Sequence, residues 1–304
     1  MNNNKIENKF CTCLGSDNVK LQEPMSKHTT FRIGGPADFY LCPHSTKEVH
    51  QAVQICKEEN LPYFILGNGS NLLVSDKGYR GVIIQLWKNF SDISVKGCCI
   101  TAKAGALLSK VAAEALEAGL TGMEFASGIP GTIGGAVFMN AGAYGGEMKD
   151  IIKEVKVLDD QGEVRVLSNE EMKLGYRTSI VKEKGYTVLS AVLELKKGEP
   201  SVIRETMEDL KNRRTSKQPL DMPSAGSTFK RPEGYFAGKL IMDSGLRGFS
   251  VGGAQVSEKH CGFVVNKGGA TAEDVTVLIR EVQRRVKEKF GVELETEVRF
   301  LGEF

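Results

Sequence analysis

An α+β protein is predicted by three observations. The chain opens on a small βαββ pattern, its middle is strand-rich and dense in glycine, and its last third mixes helices with short strands. The element types follow the order of these regions and not the steady β–α alternation of a parallel sheet. At 304 residues the chain is long enough for two or three domains.

Residues 1–19 are polar and unpatterned, which predicts a mobile leader. Gly34, Gly35 and Pro36 mark a turn ahead of a strand at Ala37–Leu41. Ser45 and Glu48 form a capping box for a helix whose apolar face is Val49, Ala52, Val53 and Cys56, and Asn60 and Pro62 stop it. Tyr63–Leu66 and Leu72–Val74 read as strands around a glycine loop, and Gly81–Leu86 closes the βαββ unit. The loop fits either a hairpin turn or a nest of N–H groups for an anion.

The helix Leu107–Glu117 carries Leu108, Val111, Ala112 and Ala115 on one stripe and stops at Gly119. Val155–Leu158 and Val164–Leu167 form a hairpin, and Thr187–Leu195 alternates as a half-buried strand. Ile203, Met207 and Leu210 stripe a helix that ends in basic residues 211–214. Residues 223–230 are small, polar and turn-forming, Tyr235–Ser244 is helical, and Cys261–Val265 is a short strand. The clearest helix starts at Thr271, keeps Val275, Leu278, Ile279, Val282 and Val286 in register, and stops at Gly291. Residues 292–300 are extended.

Composition excludes several classes. Apolar content of 41% and charged content of 26% describe an ordinary globular chain, and a net charge of +2 without long single-sign runs points to neither nucleic acid nor membrane. The seven cysteines are odd in number and contain no C-x-x-C pair, so neither a disulfide framework nor a metal site is expected. No apolar run spans a bilayer and no signal peptide opens the chain, so a cytoplasmic location is expected.

Function concentrates in Glu124–Glu147, where eight glycines, Gly122 included, surround Pro130. Such density serves tight turns and close packing, or it presses bare backbone N–H groups onto an anion such as a pyrophosphate. The spacing is neither G-x-G-x-x-G nor a P-loop.

Seven motifs in order resemble the UDP-N-acetylenolpyruvoylglucosamine reductase (UDP-N-acetylmuramate dehydrogenase) family: Thr29–Pro36, Leu66–Leu73, Ser127–Ala136, Gly175–Ser179, Ala225–Lys230, Gly252–Val256 and Glu295–Phe300. The resemblance spans the chain beyond the leader and is closest to the compact type, which lacks a substrate-covering loop. It implies a p-cresol-methylhydroxylase-type FAD-binding domain at 87–199. Residues 20–86, joined by 297–304, would be its small N-terminal βαββ lobe, and 200–296 a C-terminal α/β substrate-binding lobe.

The implied chemistry reduces UDP-N-acetylglucosamine enolpyruvate to UDP-N-acetylmuramate for peptidoglycan. NADPH reduces non-covalent FAD, and flavin N5 delivers hydride to C3 of the enolpyruvyl group. The resemblance assigns FAD to Leu66, Gly67, Asn68, Gly69, Ser70, Asn71 and Leu72, and to Ser127, Gly128, Ile129, Pro130, Gly131, Thr132, Gly134, Gly135 and Ala136.

It further implies that Arg177 holds the carboxylate and the charge that develops beside it, that Ser227 protonates C2, and that Glu297 sits neutral or proton-sharing by that carboxylate. Taken alone, Arg177 is a surface arginine, Ser227 a turn serine and Glu297 a solvated strand residue. Tyr176, Lys217 and Arg299 are implied ligands of the substrate's phosphates and carboxylate. Arg231 stands where the family often has Asn. No metal is expected, and the oligomeric state is not readable.

Overall fold

The computed structural model describes residues 3–304, the side chain of Asn3 excepted. The chain divides into two compact units: residues up to Leu21 with Phe39–Asn68 and Gly81–Arg214, and Gln22–Asp38 with Gly69–Arg80 and Thr215–Phe304. These boundaries differ from the expected 20–86, 87–199 and 200–296. Strand pairing gives the reason. Tyr63–Leu66 pairs parallel with Val82–Gln85, whereas Leu72–Val74 pairs parallel with Arg299–Leu301 near the other end of the chain. Neighbours in sequence thus answer to different partners, and residues 20–86 are shared between the units.

The first unit is built on a five-stranded antiparallel sheet in the order Val164–Ser168, Ile152–Leu158, Thr187–Glu194, Cys99–Lys103, Ile93–Lys96. Alternation in Thr187–Glu194 buries Leu189, Ala191 and Leu193 in the core that also takes the helix Leu108–Glu117. The helix Thr46–Glu58 begins where Ser45 Oγ accepts the Glu48 N–H, and its four expected apolar residues are buried.

The expected leader is a correction. Asn3–Leu14 is a helix whose Ile6, Phe10 and Leu14 lie in the same core, Phe10 edge-on to Phe39. A 12-residue helix is marginal alone, but side chains at i, i+4 and i+8 make one stripe, and burial stabilises by about 1.5–3 kcal/mol each. Residues 1 and 2 lie outside the described residues.

The second unit holds an antiparallel sheet in the order Ser224–Ser227, Phe263–Asn266, Ala254–Val256, Ser250–Val251, with the helices Ala237–Asp243 and Ala272–Phe290 in its apolar cluster. Thr271 and Asp274 cap the long helix, and Asp76 accepts the N–H groups of Ala272 and Glu273. The stretch expected as a turn at 223–230 contains the strand Ser224–Ser227, bulged at left-handed Gly226. Pairing with Phe263–Asn266 overrides its small-residue composition. Among the described residues no helix is long and apolar enough to cross a membrane.

Candidate active site

The loop after Tyr63–Leu66 is not a hairpin, because the strands either side of it do not pair. Released from a turn's hydrogen bond, the backbone N–H groups of Gly67, Asn68, Gly69 and Ser70 donate to no described residue. The loop's carbonyls are used: Gly67 C=O accepts from Gln85 Nε2, and Gly69 C=O from the Thr30 N–H. One side of the backbone is anchored and the other offers donors.

Two of these residues have no room for a side chain. A Cβ at Gly67 would stand 2.4 Å from Thr132 Oγ1; at Gly69, which has φ +63°, it would stand 2.2 Å from the His28 carbonyl oxygen. Asn68 Nδ2 donates to the Pro130 carbonyl at 2.7 Å. The first unit therefore joins two of the expected loop segments, far apart in sequence, at Asn68–Pro130 and Gly67–Thr132.

The second glycine segment lies along residues 104–108: Leu108 N–H donates to Gly131 C=O, Ile133 N–H to Ala106 C=O, and Gly134 N–H to Ala104 C=O. Gly134 allows that approach, since its Cβ would meet Ala104 Cβ at 3.0 Å. Gly135 is exposed, and a Cβ there would meet only Thr132 Oγ1, at an ordinary contact distance of 3.8 Å. Bare amides over a surface cleared of side chains fit the diphosphate of a dinucleotide.

Arg177 sits in a tight two-residue tip closed by Gly175 N–H to Thr178 C=O (3.1 Å) and the reciprocal bond (3.3 Å). Its φ of +56° is left-handed, a strain of about 1 kcal/mol or more for a residue with a Cβ. Of the seven non-glycine residues with positive φ among the described residues, four (Asn140, Tyr144, Lys173 and Arg177) lie between 140 and 177, so strain concentrates around this loop. Arg177 Cζ lies 5.3 Å from the centroid of the exposed Tyr176 ring, and Nη2 reaches the Gly142 carbonyl at 3.4 Å.

A residue not expected from the sequence fastens this loop. Asn140 is 1% exposed; its Nδ2 donates to Glu147 Oε2 at 3.0 Å and to Gly175 C=O at 3.1 Å, and its Oδ1 accepts the Lys149 N–H at 2.9 Å. Ser179 Oγ adds a bond to Phe138 C=O at 2.7 Å. The one visible signal was an amide side chain placed amid glycines and apolar residues.

The second unit gathers four more expected residues. Ser227 ends its strand exposed, and the carbonyl of the next residue, Thr228, accepts the Glu297 N–H at 2.9 Å. Asn71 Nδ2 donates to the Glu297 carbonyl at 3.1 Å, and the Arg299 N–H donates to Asn71 C=O at 3.1 Å. Ser227, Glu297, Asn71 and Arg299 thus share one patch of cross-linked backbone.

Arg299 is exposed at its surface but set in dense surroundings, and that desolvation lowers its guanidinium pKa. Lys217 is exposed at the end of the helix Pro200–Lys217, and no hydrogen bond joins it to this group among the described residues. Arg231 stacks on Phe236, with Cζ 4.0 Å from the ring centroid, and its Nε donates to Tyr235 C=O at 3.3 Å.

Comparison with known proteins gives the family. The chain matches the FAD binding domain over residues 37–168 and the UDP-N-acetylenolpyruvoylglucosamine reductase C-terminal domain over 218–301. The UDP-N-acetylenolpyruvoylglucosamine reductase of Clostridium perfringens (strain SM101 / Type A) is 58% identical over 286 residues, 94% of each chain. The chain belongs to the UDP-N-acetylenolpyruvoylglucosamine reductase family.

The reductase of Alkaliphilus metalliredigens is 54% identical over 303 residues, covering 100% of both chains. The crystal structure of the Thermus caldophilus UDP-N-acetylenolpyruvylglucosamine reductase matches with a TM-score of 0.81 at 37% identity, over 93% of this chain and 99% of that one. As a member of the reductase family the chain is an FAD-dependent oxidoreductase of peptidoglycan synthesis, with the FAD-binding and substrate-binding lobes of that fold.

Proposed function

We propose that this chain reduces UDP-N-acetylglucosamine enolpyruvate to UDP-N-acetylmuramate, with NADPH as electron donor and FAD held without a covalent bond. FAD, when bound, supplies to C3 of the enolpyruvyl group the hydride it has taken from NADPH. The amides of Gly67–Ser70, with the surface of Gly128, Gly131 and Gly135, would hold the cofactor's diphosphate.

The remaining work belongs to side chains. Hydride addition at C3 pushes negative charge onto C2 and the adjoining carboxylate. The Arg177 fork accepts that charge through two parallel hydrogen bonds, and the closed tip fixes its direction before substrate arrives. Ser227 donates its hydroxyl proton to C2; a hydroxyl is a weak acid, but its partner is carbanion-like. Glu297, tied by its backbone to the residue beside Ser227, takes the place next to the carboxylate in a protonated or hydrogen-bonded form. Tyr176, Lys217 and Arg299 are assigned to the phosphates and carboxylate of the sugar nucleotide.

The observation that carries this reading is end-to-end similarity to reductases of that name. The joined glycine loops and the Ser227–Glu297 patch support it. The test is Ser227→Ala, in which NADPH should still bleach the flavin while product formation falls by about 10²-fold or more. Undiminished product formation would remove Ser227 from the reaction.

A further inference from the structure

Arg214 projects from the last turn of the helix Pro200–Lys217 onto the glycine segment. A Cβ at Gly128 would stand 3.1 Å from Arg214 Cδ and 3.9 Å from Nε, so the arginine stem lies against the bare Cα. Gly128 is not among the residues with positive φ. Backbone conformation therefore does not require a glycine here; a side chain would instead crowd the Arg214 stem.

The guanidinium so admitted forms no ion pair or hydrogen bond with any described residue. Burial lowers its pKa below the usual arginine value, and Tyr144 offsets that only in part. Five N–H donors in a partly desolvated site without an acceptor are costly to keep. The same stretch is also held by Asn68, whose Nδ2 bonds the Pro130 carbonyl and whose own N–H, like that of Gly67, donates to no described residue. A planar cation and the bare amides of Gly67 and Asn68, both tied to one glycine segment, match a phosphate: two oxygens for the fork and further oxygens for the N–H groups.

We propose that Arg214 is a phosphate-binding residue, holding a diphosphate oxygen of a ligand laid on Gly128. The inference rests on the flavoenzyme reading, which supplies two sources of that chemistry, the dinucleotide's diphosphate and the sugar nucleotide's. Gly128 is the slot that admits the cation.

The test compares purified holo-protein of the wild type, Arg214→Met and Arg214→Lys in two assays. Release of FAD on dilution is read by flavin fluorescence, and binding of UDP by its perturbation of the flavin spectrum. Loss of a charge-assisted pair should weaken at least one ligand about tenfold or more in Arg214→Met, with partial recovery in Arg214→Lys. Faster FAD release assigns the phosphate to the dinucleotide, and weaker UDP binding assigns it to the sugar nucleotide. Both ligands held within about twofold of wild type by Arg214→Met would overturn the proposal. If Arg214→Met does not fold, Arg214→Lys decides. A lysine cannot reproduce the fork, so weakened retention supports the assignment and unchanged retention overturns it. A wild-type protein that neither carries FAD nor binds UDP removes the flavoenzyme reading and this proposal with it; an indifferent variant beside a flavin-loaded wild type removes this proposal alone.

Discussion

Replacing Gly67 by alanine tests the contact between the glycine loops with a single atom. Gly67 has no positive φ, so alanine is allowed by the backbone and would ordinarily stabilise by about 0.4–1 kcal/mol through the unfolded chain. Its new Cβ would lie 2.4 Å from Thr132 Oγ1, while Cβ and Cγ2 of the same threonine stand at 3.5 and 3.6 Å, ordinary contact distances. The clash is thus confined to one oxygen. Thr132 is 1% exposed and cannot move outward, so the overpacking should cost about 1–3 kcal/mol, enough to reverse the sign of the alanine benefit. Removing the hydroxyl clears the space, and Thr132→Ala should rescue Gly67→Ala with a coupling of about 1 kcal/mol or more. Urea unfolding of the four holo-proteins measures the cycle, and flavin content reports the loop. Additive effects, or a Gly67→Ala protein as stable and as yellow as wild type, would refute the reasoning.

Other predictions follow from contacts described above. Asn140→Ala leaves the Lys149 N–H and the Gly175 carbonyl without their partner in a buried setting, and should destabilise by about 2–4 kcal/mol in urea unfolding. It should also lower kcat/KM by loosening the Arg177 tip; wild-type values of both would show that the tip holds itself. Glu281 is gripped by Arg284 and Arg285, which lower its carboxyl from 4.5 to about 2. A depressed carboxylate contributes stability that is present above the unfolded value and is lost as pH falls through the folded one. The stability difference between wild type and Glu281→Gln should therefore be constant above about pH 5 and shrink between pH 4.5 and about 2. A difference independent of pH in thermal melts would contradict this.

Local elements were legible where one stretch of chain carries its own signal. The helix Ala272–Phe290 shows its cap at Thr271, its stop at Gly291 and its core face at Val275, Leu278, Ile279, Val282 and Val286, and each stands where expected. The helix Asn3–Leu14 escaped because its three buried residues are diluted among Asn, Lys and Glu, and only the core they enter gives them meaning. The glycine loop at 67–71 looked like a hairpin because parallel pairing of Leu72–Val74 with Arg299–Leu301 spans most of the chain and leaves no local mark. The strand Ser224–Ser227 was hidden by turn-forming residues for the same reason.

At the site, the sequence pointed to glycine surfaces without saying what they face, and only the resemblance separated Arg177, Ser227 and Glu297 from surface residues. Asn140 and Arg214 were missed because their value is positional. One is a buried amide with three bonds, and the other a cation left without an acid.

On the proposed reading, this chain passes electrons from a nicotinamide to an enolpyruvyl sugar nucleotide through bound FAD. An anaerobic titration of the holo-protein tests it most directly. NADPH should bleach the flavin's visible absorbance, and stoichiometric UDP-N-acetylglucosamine enolpyruvate should then restore it within the mixing time while UDP-N-acetylmuramate appears. A flavin that stays bleached in the presence of that substrate, and recovers only when air is admitted, would contradict the account.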